Sequence, residues 1–233
     1  MSELRPDAAV ELAITSSGTR VSVAARDQDG RVAAQSAPAA RGEADVASLV
    51  ARVVAELGAQ PAQVAAIAVD RGPGSYTGLR VALTFARTIA AFRGARLRAC
   101  TSVELHAAGA WRAARVPTDK ALRVCFDARR GHLHVAKLVW RDGRVLLASG
   151  PEAMPTAAAL EALEAGDEIL ADASLAELLR PRCAALGAEF LATQDLDARL
   201  FFDPAVEALE LEPQALEPLY LLATYAEPGT TGA

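Results

Sequence analysis

The sequence predicts a mixed α/β protein of two lobes, each opening with a three-strand meander and continuing into helices. Three observations predict it. Short alternating stretches broken by glycine turns fall into two groups of three strands. The turn tetrapeptide Asp29-Gly30-Arg31-Val32 returns as Asp142-Gly143-Arg144-Val145, which marks the groups as copies of one plan. Amphipathic segments with apolar residues at helical spacing follow each group.

The first lobe is taken as residues 1–105. Val10–Ile14 alternates as a strand, Ser16-Ser17-Gly18 turns the chain and Thr19–Arg26 returns. Asp29-Gly30 is a hairpin turn, and Arg31–Ser36 makes the third strand. Val46, Leu49, Val50, Val53, Val54 and Leu57 line one face of a helix. Val64–Val69 is continuously apolar, the pattern of a strand buried on both faces. A helix follows from Thr77 or Gly78 to Phe92, then a strand over Leu97–Cys100 and a helix capped by Thr101 with Glu104 three residues on. The second lobe, 106–233, repeats the meander as Leu122–Asp127, His132–Trp140 and Arg144–Ser149. Helices are expected over Thr156–Ala165 and Ser174–Leu186, with a strand over Glu168–Ala171 between them. Past Thr193 the pattern weakens to short helical turns in an acidic segment.

Composition excludes several classes. With 233 residues, 52% of them hydrophobic and a net charge of −5, the chain buries roughly 70% of its unfolded surface and does not remain disordered. Cys100, Cys125 and Cys183 are odd in number and far apart, which points away from a disulfide framework or a zinc site and towards a reducing compartment. Glu3, Arg5, Asp7 and Glu11 stand where a signal peptide needs an apolar run, and no 18-residue window is apolar enough to span a membrane. A cytoplasmic protein is expected. Charge is uneven: residues 71–144 carry 15 basic and 4 acidic groups, net +11, and Arg71 to Val103 holds six arginines and no acid. That segment suits a phosphate-bearing or acidic partner, or is simply solvated arginine on helix faces.

The strongest local signal is Gly72-Pro73-Gly74-Ser75-Tyr76-Thr77-Gly78-Leu79-Arg80, set between a buried strand and a helix. Its glycines permit close backbone approach, Ser75 or Thr77 can cap the helix, and the helix start with Arg80 one turn in can receive an anion. It lacks the lysine of a Walker A loop. It reads either as a tight strand-to-helix turn or as a phosphate cradle. The helix beyond carries two apolar stripes: Leu79, Leu83, Ala86 and Ala90, and Val81, Phe85, Ile89 and Phe92. A helix on the surface of one core needs a single stripe, so the second implies a further packing partner.

Catalytic constellations are sparse. His132 and His134 share one strand face, read as exposed, and with His106 they form no metal-binding spacing. Ser75 lacks the Gly-x-Ser-x-Gly elbow. Asp127 ends the second lobe's first strand, where a duplicated phosphate-binding fold would hold Mg²⁺, but its first-lobe counterpart is Thr15.

The duplicated lobes, the run from Ala66-Ile67-Ala68-Val69 into Gly72–Arg80, Phe126-Asp127-Ala128-Arg129-Arg130-Gly131, and Pro218-Leu219-Tyr220-Leu221 together resemble the TsaB (YeaZ) family. The resemblance implies the actin-like ATPase (ASKHA) fold and a catalytically silent relative of TsaD, which transfers threonylcarbamoyl to adenosine 37 of tRNA. It implies a dimerisation subunit that pairs with itself when alone, binds a TsaD-like catalytic subunit, works with a TsaE-like ATPase and meets tRNA through the complex. By the same resemblance Gly72–Arg80, Leu83 and Phe85 lie at the partner interface. The chain itself then needs no cofactor, with ATP and metal expected on the partner subunits. The chain departs from the family pattern at three places, four residues in all. Thr15 stands where an acid ends the first strand, Ala44 and Asp45 stand where histidine precedes serine or threonine, and Leu222 stands for a terminal arginine. The rival reading from the enzyme class is a small-molecule kinase or a carbamoyl or acyl transferase with ATP between the lobes. An inactive peptidase-like relative would need metal ligands that the sequence does not offer.

Overall fold

Valine, isoleucine and alanine dominate the runs that become strands, and glycines with positive φ close the turns between them, Gly30 at +79° and Gly143 at +77°. A computed structural model describes residues 9–39 and 45–222. The positions Glu3, Arg5, Asp7 and Ala44 lie outside the described residues, as does the chain beyond 222.

The first sheet contains β1 (Val10–Thr15), β2 (Arg20–Arg26), β3 (Val32–Pro38), β4 (Val64–Asp70) and β5 (Arg96–Cys100). The second contains β6 (Leu122–Arg129), β7 (His132–Arg141), β8 (Arg144–Pro155), β9 (Glu168–Ala171) and β10 (Phe190–Ala192). In each, an antiparallel meander is extended on its first strand by parallel strands, giving the orders β5-β4-β1-β2-β3 and β10-β9-β6-β7-β8. The repeated turn tetrapeptide is thus the trace of a repeated sheet. The parallel steps need crossovers, which α1 (Val46–Glu56) and α2 (Tyr76–Arg93) supply in the first lobe and α4 (Thr156–Glu161) and α5 (Ala176–Leu186) in the second. Between the lobes runs α3 (Ser102–Arg112), opened by the expected Thr101–Glu104 capping box.

The first sheet is buried on both faces. Val50, Val53, Leu79, Leu83, Ile14, Ile67 and Val69 form the core under α1 and α2. On the opposite face Ala13, Ala24 and Ala68 leave room for Leu105 of α3 and for Leu196, Ala198 and Phe201.

Several elements differ from the sequence expectation. Strand β8 runs six residues beyond Ser149, through a register shift near Gly150. Helix α4 stops at Glu161 instead of Ala165, and Arg182 Nε–H donates to the released Leu160 carbonyl at 3.1 Å. The chain past Thr193 forms a 3-10 turn at Ala198–Phe202, as expected for short turns, and then a strand, β11 (Leu209–Leu211), which was not expected. That strand pairs antiparallel with β5 and completes the first sheet. Residues assigned from sequence to the second lobe therefore finish the first. Three residues are too few to show an alternation, and what makes them a strand is a partner far away in sequence. Strand β10 is equally short and pairs parallel with β9, the strand before it.

Candidate functional site

The glycine-rich segment forms a bend held on three sides. Ser75 caps α2, its Oγ accepting from Gly78 N–H at 3.3 Å, while its own N–H donates to the Ser17 carbonyl at 2.7 Å. From α3, Ser102 N–H donates to the Gly72 carbonyl at 2.9 Å and Ser102 Oγ–H to the Pro73 carbonyl at 2.6 Å. From the C-terminal segment, Leu219 N–H donates to the Arg71 carbonyl at 2.7 Å, and Tyr220 stacks on Tyr76 with ring centroids 5.1 Å apart. Arg80 adds its guanidinium over the Tyr76 ring and donates to the Tyr76 hydroxyl at 3.2 Å.

This geometry chooses between the two sequence readings of the glycines. A Cβ at Gly74 would collide with the Ser17 carbonyl, and one at Gly78 with the Ser16 carbonyl. The space that glycine opens is filled by the protein's own β1–β2 turn, and two of the loop's amides are already spent on Ser17 and Ser75. The segment is a tight turn whose glycines make room for the protein's own backbone.

The predicted interface residues divide by direction. Gly72, Pro73, Leu79 and Leu83 are buried, and Leu83 with Leu79, Ala86 and Ala90 belongs to the core beneath α2. The second stripe faces out: Val81 is 50% and Phe92 86% exposed, while Phe85 and Ile89 lean partly on the core. Gly74, Tyr76, Thr77 and Arg80 are also exposed, with Ser75 and Gly78 between the two groups. Beside this stripe an apolar groove of about 670 Å³ runs between α2 and the start of α1. Asp45 closes one end, its carboxylate capping α1 through Ala47 N–H at 3.0 Å and Ser48 Oγ–H at 2.6 Å. Among the departures noted in sequence, Asp45 is therefore a helix cap.

A second concavity, about 820 Å³, separates the lobes. Ser17, Thr19 and the Gly74–Thr77 bend face Asp127, His134, Asp172 and Asp195 across it, with His106 and Phe126 at its base. Thr19 Oγ1–H donates to Asp195 Oδ1 at 2.7 Å and ties the two lobes together. Burial pushes the His106 imidazole down to about 4 against the opposing pull of Asp195, so the ring is neutral. His134 is lowered by burial as well, partly countered by Asp127, and its Nδ1 is buried without a hydrogen-bond partner. The exposed strand face expected for His132 and His134 does not hold: both are half-buried, and His134 lines the cleft between the lobes. Burial raises the Asp172 carboxyl, against hydrogen bonds from Asp127 N–H and the Thr193 hydroxyl. The cleft wall sets the carboxylates of Asp127, Asp172 and Asp195 beside Arg129 and the hydroxyls of Ser17, Ser75, Thr77 and Ser174. Among the described residues no group of three or more His, Cys, Asp or Glu side chains is placed to hold a metal ion.

One buried group escaped the sequence reading. Asp70 ends the apolar run of β4 with no exposure at all, and burial pushes its carboxyl up to about 6, against hydrogen bonds from Ser17 and Ser16. An acid closing an otherwise unbroken apolar strand was the available signal. It lies one strand over from Thr15, so the carboxylate missing from β1 has a neighbour on β4.

Comparisons with known proteins agree with this architecture. A solved Pseudomonas aeruginosa protein described as similar to peptidase YEAZ superposes with a TM-score of 0.75 at 21% identity, covering 92% of this chain and 100% of that one. YeaZ from Pseudomonas aeruginosa gives 0.73 at 20% identity over 91% and 100%. These likenesses establish the fold as that of the YeaZ structures, two mixed α/β lobes. The tRNA threonylcarbamoyladenosine biosynthesis protein TsaB of Bacillus subtilis (strain 168) is 34% identical over 83 residues, 36% of this chain and about a third (34%) of the length of that relative. Residues 39–193 match the model of the family described as TsaD: tRNA N6-adenosine threonylcarbamoyltransferase. Matched over more than half its length, the chain belongs to that family, where its curated and solved likenesses are the TsaB and YeaZ proteins.

Proposed function

We propose that this chain is a non-catalytic subunit of the machinery that forms N6-threonylcarbamoyladenosine at tRNA position 37, and that it docks a TsaD-like catalytic subunit through α2. The observation that carries the proposal is the outward stripe of α2. Val81 and Phe92 stand in water beside an apolar groove, and isolated proteins rarely leave such a surface uncovered. Tyr76, Thr77, Arg80 and Phe85 make the contact; Gly72, Pro73, Gly74, Ser75, Gly78, Leu79 and Leu83 hold its shape. Helix α2 carries Arg80, Arg87 and Arg93 and no acid, which suits a partner with carboxylates at its rim. In the absence of the catalytic subunit the same face pairs with a second copy. A TsaE-like ATPase completes the assembly, tRNA is met through the complex, and ATP and metal bind on the partner subunits in the cytoplasm.

Support for a non-catalytic role comes from β1, which ends in a fully buried Thr15 where the pattern of a nucleotide-binding relative has a carboxylate. The test is twofold. The chain should co-purify with a TsaD-like protein and restore tRNA modification by it, while alone it shows neither ATP turnover nor heat of Mg-ATP binding. ATP turnover by the pure protein that disappears in Asp127→Ala would overturn the reading in favour of a kinase.

A further inference from the structure

Asp70 takes no part in the docking face, yet it is bound to the turn that supports it. Its carboxylate is fully buried, and its partners are all neutral: Ser17 Oγ–H donates to Oδ2 at 2.5 Å and Ser16 N–H to Oδ1 at 3.4 Å. The next step of the parallel β1–β4 register sets Thr15 beside it, whose buried hydroxyl has no hydrogen-bond partner. Strand β5 places Cys100, a buried thiol, on its other side. Beyond that thiol, α3 brings Glu104, whose charge is felt at Cys100. Arg71 follows Asp70 in the chain, and its Nε is buried and unpartnered. Among the described residues no ion pair reaches the Asp70 carboxylate.

Ser16 and Ser17 face two ways. Toward the core they donate to Asp70. Toward the surface the Ser17 carbonyl accepts from Ser75 N–H, and the Ser16 and Ser17 carbonyls fill the spaces left by Gly78 and Gly74. The turn is a spacer between a buried acid and the glycine-rich bend. A charge in that position, with neutral donors only, is relieved when water reaches it, and water can reach it when the turn and bend part.

We infer that Asp70 is a proton-linked latch on the Gly74–Gly78 bend: protonated, it leaves turn and bend closed; ionised, it makes them open more often. Burial lifts the closed-state carboxyl to about 6, whereas an opened, hydrated one returns to the ordinary 3.8. Opening therefore releases a proton between those two values, so its equilibrium constant climbs through that window and levels off above it. The latch is a property of the isolated chain and stands whether or not the face docks a partner.

The test is hydrogen exchange at the Ser75 and Gly78 amides of the full chain, from about pH 4.5 to about pH 7.5, corrected for the intrinsic exchange rate. The opening constant should rise on the order of tenfold or more up to about pH 6 and then stay level. Asp70→Asn should be flat with pH and as protected at neutrality as the wild type is in acid. Ser17→Ala removes a bond that favours the ionised form and should shift the rise to higher pH. A wild type with no such rise, or the same rise in Asp70→Asn, overturns the latch. If Asp70→Asn does not fold, an unmoved rise in Ser17→Ala overturns it as well.

Discussion

Asp70 is fully buried and His106 half-buried at the base of the cleft, and their effects on stability run in opposite directions with pH. The Asp70 carboxyl is raised from 3.8 to about 6, so the folded state holds a proton that the unfolded chain has lost. Its contribution is present at low pH and fades as pH rises through that range. The His106 imidazole is lowered from 6.5 to about 4, so the folded state refuses a proton that the unfolded chain accepts. Its contribution is present above about 6.5 and fades on acidification. Each is worth on the order of 3 kcal/mol over nearly the same window. The expected outcome is a wild type whose stability changes little across it. Asp70→Asn should unmask His106 and lose stability steadily on acidification below about pH 6.5. Urea unfolding of both proteins at several pH values decides, and parallel curves would disprove the assignment.

Helix α2 is the element that joins core to surface, and it yields the sharpest mutational contrast. Leu83 is 3% exposed, so Leu83→Glu buries an unpaired charge and should cost on the order of 3–5 kcal/mol, enough to unfold much of the protein. Val81, half exposed two residues earlier, should accept glutamate and remain folded, with self-association and docking weakened by two or more decades. Sedimentation and circular dichroism read the two effects separately; a folded Val81→Glu that still dimerises would place the face elsewhere. Phe85 is the intermediate case, because its ring also leans on the core. The existence of two stripes was legible from residue spacing alone. Their directions were not, since a period of 3.6 residues marks faces without saying which one meets the sheet. The meanders, α1, α2 and the Thr101 cap were legible for a related reason: alternation and capping are local chemistry. Asp70, β10 and β11 were hidden because burial of a lone acid and pairing of three-residue strands are decided by residues outside the element itself. The half-burial of His134 was missed because its strand face lines the cleft between the lobes, which alternation alone does not reveal.

At the scale of the molecule, the first lobe is a joint product of both ends of the described chain. Strand β11 extends its sheet at β5, Leu216 is fully buried in its core, and Leu219 and Tyr220 clamp the glycine-rich bend. A fragment of residues 1–105 lacks these parts and should fail to give a cooperative unfolding transition. Adding a peptide of residues 196–222 should restore one; a stable, cooperative 1–105 fragment would contradict the architecture. Closing such a long loop is entropically slow compared with forming the local hairpins of the meanders. During synthesis the ribosome delivers α2 early and its clamp late. A nascent or prematurely terminated chain therefore carries α2 without a finished bend to frame it. Only a molecule translated through Tyr220 frames this bend in full, so docking through α2, as proposed, would double as a check that the clamp has been made.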